Sequence, residues 1–319
     1  MREIRLGVAQ FEARDRDKAY NLTRIEELAR EAAAEGAELV CFHECSIPGY
    51  SFLENLSRGE IEELAEAVPG GRSIQRLIAL ADSLGVALSA GLLEQDDGHL
   101  YNTSVVVDRN GLVAKHRKIH AFVSGELTCG DSYTVFDFLG ARFGMLICYD
   151  ANLPENVRLT AMRGAEIILV PHVTGCLPSP MPGRGVVAPE VWENRERDPE
   201  RCRQEFDGPK GRGWLMRWLP ARAYENGVYL VYSNPIGADG ETIKPGGSLV
   251  LDPFGEILTE CRLLGDQVVV ATLDPAKLDL APGRSYIRAR RPELYGAMTE
   301  PNPHLGPGGR PDVWWKTHR

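Results

Sequence analysis

The chain has 319 residues, of which 43% are apolar and 25% charged, with a formal charge of −9 at pH 7. Such a balance fits a soluble globular protein long enough for one large α/β domain, and its acidity argues against a general nucleic-acid or membrane-surface role. No apolar stretch is long enough to span a bilayer, and the N-terminus MREIRLGVAQF lacks a signal peptide's apolar core. Seven cysteines in a chain of this length, without the spacing of a small secreted domain, point to a reducing cytoplasm.

The first third reads β-α-β. Ile4 to Gln10 is predicted as a strand, and Lys18 to Ala34 as a helix with Leu22, Ile25, Leu28, Ala29 and Ala32 on one face. Gly36 ends that helix, and Leu39 to His43 is a short apolar run of the kind that forms a buried strand. A helix over about Arg72 to Leu84 precedes a strand at Val86 to Leu93. Tyr101 to Val107 and Leu112 to His116 then form a hairpin around Asp108-Arg109-Asn110-Gly111. Phe143 to Ile147 is another buried strand, and Pro154-Glu155 opens a helix, since proline loses no bond in a first turn and an acid suits that end of the dipole. Further on, Trp214 to Asn226 is predicted as helix and Val228 to Tyr232 as strand. Gly247 to Asp252 pairs with Ile257 to Glu260 around Pro253-Phe254-Gly255, and Val268 to Leu273 is the last strand.

Gly36-Ala37-Glu38-Leu39-Val40 returns as Gly164-Ala165-Glu166-Ile167-Ile168, each after an alanine-containing helix and at the start of an apolar strand. The echo suggests two similar halves. Alternating strands and helices with hairpins imply a mixed α/β sandwich without an internal domain boundary. Residues 176–213 are rich in Pro, Gly and charge and longer than ordinary connections, which suggests an inserted loop or lid. Residues 300–319 read as a tail, and Trp314-Trp315 on it suggest docking on a neighbouring surface as an oligomer contact.

Three strand ends carry chemistry. Cys148 directly follows Phe143 to Ile147 and precedes the helix start, which puts it at the carboxyl end of a strand, where open α/β sheets place their ligand sites. Amides of the following turn could lower its pKa and hold an oxyanion; a buried core thiol is the bland alternative. Glu44 ends the strand that begins at Leu39. In KHRKIHAF, alternation puts Lys115 and Arg117 on one face, with His116, Lys118 and His120 on the other, so Lys118 need not share the solvated face. A nucleophilic cysteine needs such a base and such a cation.

FHECSIPGY, HRKIHAF and GMLICYDANLPE, in that order, resemble the Glu, Lys and Cys motifs of the nitrilase superfamily of carbon–nitrogen hydrolases. The resemblance continues through Arg222-Ala223-Tyr224-Glu225-Asn226, Gly246-Gly247-Ser248, Asp252-Pro253-Phe254-Gly255 and Arg290-Arg291-Pro292-Glu293-Leu294-Tyr295. It implies a hydrolase domain over 1–299 with an α-β-β-α sandwich, no metal or organic cofactor, and homodimers or higher assemblies. Carried over by position, Cys148 is the nucleophile, Glu44 the general base and Lys118 the partner of the tetrahedral intermediate. Glu126, eight positions after Lys118, stands where amide-cleaving members carry a second catalytic carboxylate that positions the substrate and helps with proton transfer. Tyr50, Tyr149, Asn152, His172 and Thr174 are candidate pocket residues. Cys41, His43 and Cys45 alternate as three soft ligands would, but no fourth zinc ligand is marked, and two core cysteines beside a satisfied histidine is the better reading.

The resemblance also bears on substrate. Tyr149-Asp150 after the cysteine looks like the amidase and carbamoylase branches rather than the Trp-Glu of nitrile-cleaving members. Members that hold a substrate carboxylate often carry arginine four positions after the cysteine; here that position is Asn152, which argues against dicarboxylate half-amides and carbamoyl amino acids held that way, although the long loop could supply a cation such as Arg184. The expectation is hydrolysis of a linear small-molecule amide by water. An N-carbamoyl amide hydrolase, a nitrilase and a catalytically inactive interaction module are the alternatives.

Overall fold

The computed structural model describes residues 1–306 together with Gly309 and Arg310. Trp314 and Trp315, and with them the expectation of a docking tail, lie outside the described residues. The strands in chain order begin with β1 (Ile4–Gln10), β2 (Leu39–Cys41), β3 (Ala87–Asp96), β4 (His99–Asp108) and β5 (Gly111–Arg117). Then come β6 (Thr134–Phe138), β7 (Ala141–Met145), β8 (Ile167–Pro171) and β9 (Tyr229–Ser233). The small hairpin β10 (Ile236–Asp239) and β11 (Thr242–Pro245) precedes β12 (Leu249–Leu251), β13 (Ile257–Glu260) and β14 (Gln267–Leu273). They form two six-stranded sheets, ordered β14-β1-β2-β3-β4-β5 and β13-β12-β9-β8-β7-β6.

Alternation along the strands builds the layers. Leu39 and Cys41 of β2, with Ile167 and Leu169 of β8, point into an apolar core between the sheets. Val40 faces the other way, against Ile25, Leu28 and Ala29 of the helix Lys18–Ala34 and Leu77 of Arg72–Leu84. Ile168 does the same on the second sheet, where Val157 of Pro154–Met162 and Ala223 of Leu219–Tyr224 cover it. The result is the expected α-β-β-α sandwich. Asp17 caps the first helix by accepting from the Tyr20 N–H at 2.9 Å.

The sequence echo is a structural repeat. Glu38 accepts from the Arg5 N–H at 3.1 Å, and Glu166 accepts from the Arg142 N–H at 3.0 Å. Ala87 N–H donates to the Glu38 carbonyl and Tyr229 N–H to the Glu166 carbonyl, each at 2.9 Å. Thus β1-β2-β3 and β7-β8-β9 are equivalent parallel units.

Several predicted elements are revised. The strand from Leu39 stops at Cys41, so Cys41, His43 and Cys45 do not share a face: Cys41 packs between the sheets, while Cys45 donates to Asn102. The helix expected over Trp214 to Asn226 is two pieces, Arg212–Leu215 and Leu219–Tyr224, because Pro220 has no N–H to continue an earlier helix. The 176–213 segment is folded. It contains the helices Pro189–Glu193 and Pro199–Asp207, both opened by proline, and a core of its own in which Val191, Trp192, Cys202 and Phe206 pack on Ile236 and Ile243 of the small hairpin.

Candidate active site

Glu44, Lys118 and Cys148 meet in the interior although they come from both sheets. Glu44 lies in the turns that follow β2. These turns press on β3 so closely that a Cβ at Gly91 would lie 2.3 Å from the Cys45 nitrogen. The Gly91 N–H donates to Ser46 Oγ at 3.0 Å, and the Gly91 carbonyl accepts from Ile47 N–H at 3.0 Å. Lys118 follows β5; its N–H donates to the Asn102 carbonyl at 2.8 Å and its carbonyl accepts from Gly130 at 2.7 Å. The predicted alternation holds for Lys115 and Arg117, which pair with Glu94 on one face, and for His116 and Lys118, which are buried on the other; His120 lies in a turn beyond the strand's end at Arg117 and is only partly buried.

Lys118 Nζ donates to Glu44 Oε1 at 2.6 Å and lies 3.3 Å from the Tyr50 hydroxyl. Asn102 Nδ2 donates to the same Oε1 at 2.6 Å. Glu44 Oε2 is buried without a partner among the described residues. Burial works against the Lys118 ammonium, but the Glu44 carboxylate together with Tyr50, Cys148 and Asp150 outweighs it and holds the lysine's pKa well above its ordinary value. The cation also sits 4.8 Å from the Phe122 ring centroid.

Cys148 caps a single helical turn, Tyr149–Asn152, that precedes the proline-opened helix Pro154–Met162. Its φ of 51° is a left-handed conformation that costs a non-glycine residue about 1–3 kcal/mol. Cys148 N–H donates to the Pro171 carbonyl at 2.8 Å, and Sγ is 4.0 Å from the Val173 carbonyl. The sequence suggested that turn amides would lower the thiol pKa. Instead it is pushed up to about 12, first by burial and then by the charge of nearby Glu44, against a smaller opposite effect of Lys118. The resting thiol is therefore protonated and sits within reach of a base.

Two residues to which the sequence assigned no place in the site hold this arrangement. Asn102 orients the Glu44 carboxylate. Asp150 accepts from the N–H groups of Ile119 at 3.2 Å, His120 at 2.9 Å and Ile147 at 3.1 Å, and from His120 Nδ1 at 2.9 Å. It thereby joins the segment after Lys118 to the segment before Cys148. Burial works against its charge, but His116 and His120 keep its carboxyl well below the usual range. An acid two positions after the cysteine was visible in the sequence, but its partners were not.

The remaining candidates divide. Tyr50 touches Lys118, and Tyr149 packs edge-on to Phe122 at 5.5 Å. Thr174 N–H donates to Asn234 Oδ1 at 2.9 Å. Tyr149, Asn152 and Thr174 line a solvent-connected cleft together with Leu177, Arg184 and Trp214. His172 is buried with its ring 4.7 Å from Tyr232; burial draws its pKa down to about 3, so it is neutral. Glu126 stands apart from the buried trio: it is 42% exposed and faces Arg58 at 3.9 Å. Arg310 donates to the Ser124, Gly125 and Leu127 carbonyls around it.

The chain's family and its amidase-named relatives make it a hydrolase acting on carbon–nitrogen bonds other than peptide bonds. The family model described as carbon-nitrogen hydrolase matches residues 5–282, and the chain belongs to that family. Similar proteins include an (R)-stereoselective amidase from Pseudomonas sp., 31% identical over 93% of this chain and 95% of its own length. The mouse omega-amidase NIT2 is 29% identical over 92% of this chain and 98% of its own. Among solved structures, an amidase of the nitrilase superfamily from Nesterenkonia sp. AN1 matches with a TM-score of 0.70 at 25% identity, covering 92% of this chain and 97% of that one. A variant of that amidase carries the acetamide moiety of fluoroacetamide covalently at its active-site cysteine.

Proposed function

We propose that the protein hydrolyses a linear small-molecule amide through a thioester on Cys148, releasing ammonia or an amine. The observation that carries this reading is the buried Glu44–Lys118 pair beside a protonated thiol. Glu44 takes the thiol proton as Sγ attacks the carbonyl carbon, so no free thiolate is needed at rest. Charge then develops on the carbonyl oxygen, where Lys118 Nζ and the Tyr149 backbone N–H are the donors we assign to it. Glu44, now protonated, delivers the proton to the leaving nitrogen, and the C–N bond breaks. The same carboxylate activates water, which cleaves the thioester to the acid and restores the thiol.

In this reading Glu126 helps position substrate at the rim and does not belong to the resting constellation, since it faces Arg58 at the surface. We also read the protein as a cytoplasmic homo-oligomer. No helix among the described residues is long and apolar enough to cross a membrane. Exposed Leu159, Met162, Tyr224 and Tyr286 supply apolar surface that a second copy would cover.

The test is ammonia release across a panel of amides, N-carbamoyl amines and nitriles, with Cys148→Ala as control. The reading predicts turnover of amides that is lost in the variant. Preference for carbamoyl amines or nitriles would replace amide with that substrate class, and turnover surviving in Cys148→Ala would end the mechanism. If nothing turns over and iodoacetamide modifies Cys148 no faster than the other cysteines, the fold serves as an interaction module.

A further inference from the structure

The motif Arg222-Ala223-Tyr224-Glu225-Asn226 lies outside the buried trio, yet its arginine reaches the turn that carries the nucleophile. The helical turn Tyr149–Asn152 does not run on into Pro154–Met162, because Pro154 has no N–H to offer the Asp150 carbonyl. A helix that stops leaves its last carbonyls without donors, and Asp150 and Ala151 are buried, where such a gap is costly. Side chains supply the missing donors. Asn156 Nδ2 donates to the Asp150 carbonyl at 2.9 Å. Arg222 spans the next two, with Nε donating to the Ala151 carbonyl at 3.2 Å and Nη2 to the Asn152 carbonyl at 2.8 Å. Its guanidinium is itself fixed, by Glu225 at 3.3 Å from Nη1, and stands 5.9 Å from the Trp218 ring centroid. Asn226 Nδ2 donates to the Arg222 carbonyl at 2.8 Å and so braces the end of the helix Leu219–Tyr224. The Arg222 side chain is 13% exposed, so water competes little for its fork.

We infer that Arg222 is a positioning residue for the oxyanion site: by clamping two successive carbonyls of the turn, it fixes the direction of the Tyr149 N–H. This inference rests on the amide-hydrolase reading, in which that N–H and Lys118 share the developing charge. The two ends of the turn are held differently. At its start, the Cys148 N–H is tied to the Pro171 carbonyl at the end of β8, at 2.8 Å. The N–H groups of Asp150 and Ala151 close back on the Ile147 and Cys148 carbonyls at 3.1 and 2.9 Å. At its far end, the backbone carbonyls depend on Arg222 and Asn156. A single helical turn has little stability of its own, and Cys148 holds a positive φ that a relaxed turn would give up. Without the clamp the Tyr149 amide should therefore tilt, while the sulfur, anchored at the strand end, stays near Glu44. A planar two-point fork suits this task, since two adjacent carbonyls set a direction and a lone ammonium sets only a point.

The experiment compares Arg222→Gln with the wild type in three measurements. Amide turnover should fall about a hundredfold, mainly through kcat, as expected when a reacting group is misplaced by about an ångström. Propionaldehyde adds Sγ to its carbonyl carbon while the thiol proton passes to its oxygen, which then occupies the oxyanion site; its affinity should fall about tenfold or more. Alkylation of Cys148 by iodoacetamide, in which Sγ displaces iodide and no oxyanion forms, should stay within about twofold. Arg222→Lys, with the charge but not the fork, should recover only part of the aldehyde affinity. If Arg222→Gln does not fold, Arg222→Lys carries the same comparison, with intermediate losses expected. Equal losses of alkylation and aldehyde binding would make Arg222 a support of the thiol or of the whole fold. Full recovery in Arg222→Lys would reduce it to a charge, and unchanged aldehyde affinity would leave it no part in the site; each of these overturns the inference. Aldehyde binding needs no turnover, so affinity lost in Arg222→Gln while alkylation persists upholds the clamp even if no amide is hydrolysed. A wild type that forms no aldehyde adduct at Cys148 refutes the clamp together with the oxyanion site.

Discussion

Glu44, Lys118 and Cys148 lie within a few residues of strand ends, and their polar partners Asn102 and Asp150 are themselves buried in the framework. Glu126 and Arg184, by contrast, sit on connections and are partly or well exposed; Glu126 faces Arg58, and Arg184 lies over Trp214 and donates to the Lys210 carbonyl. The difference separates two tasks. The floor of the site must hold three groups within hydrogen-bond reach before substrate arrives, and strands joined by ladders do this best. The rim must discriminate among substrates, a task that connections between strands can vary without disturbing the floor.

If the floor carries the chemistry, its substitutions should cost most. Lys118→Ala removes an oxyanion donor and leaves the buried Glu44 charge without its cation. A loss of about 3–4 kcal/mol in transition-state stabilisation, or several hundred-fold in kcat, is expected from steady-state kinetics. Glu44→Gln should fall at least as far. Because Glu44 raises the Cys148 pKa after burial has done so, the variant's thiol should titrate lower while its turnover collapses. An active Glu44→Gln would show that the thiolate forms without a base. Asp150→Asn comes next. Four donors converge on that carboxylate, and weakening them should destabilise the fold by about 2–4 kcal/mol in urea melts. The pH dependence of its residual kcat should also be altered, because Lys118 and Cys148 would lose their fixed spacing. A fall in stability with an unchanged profile would reduce Asp150 to a structural role.

The neutral histidines of the two strand-end turns set a smaller effect. Burial depresses the His172 pKa to about 3 and that of His43 to about 4. A depressed folded pKa gives stability that is present above the unfolded value of about 6.5 and lost as pH falls below it. Each histidine should therefore remove about 1.4 kcal/mol per pH unit between about pH 6 and pH 4. Asp150 adds to the loss only at lower pH, as the unfolded chain's carboxylates take up protons near pH 4. His172→Gln should roughly halve the slope of stability against pH above pH 4.5, and an unchanged slope would mean that the buried ring is charged. Smallest of all, Glu126→Gln should change kcat/KM by less than about tenfold, as befits an exposed group at the rim. A thousandfold loss would move Glu126 into the floor.

The same division explains what could be read from the chain. Glu44 and Cys148 were legible because each follows an apolar run, and Lys118 because alternation in KHRKIHAF sets it apart from Lys115 and Arg117; both signals are local. The repeat was legible because Gly-Ala-Glu and the strand after it are local too. Asn102 looked like one polar residue in a strand, and Asp150 like one acid near a helix start; their roles come from contacts between segments far apart in sequence. The 176–213 segment hid its helices because they are short, opened by Pro189 and Pro199, and largely charged, so no apolar period was long enough to mark them. The thiol pKa was misjudged for the same reason: the turn amides were visible from Tyr149 onward, but the burial and the Glu44 charge that outweigh them are tertiary facts.

Acid-quenched mass spectrometry during turnover of an amide tests the central claim most directly. The predicted result is an added acyl mass on the peptide that contains Cys148, discharged by hydroxylamine as a thioester is and absent from Cys148→Ala. An acyl group on another residue, or steady ammonia release from Cys148→Ala, would contradict it.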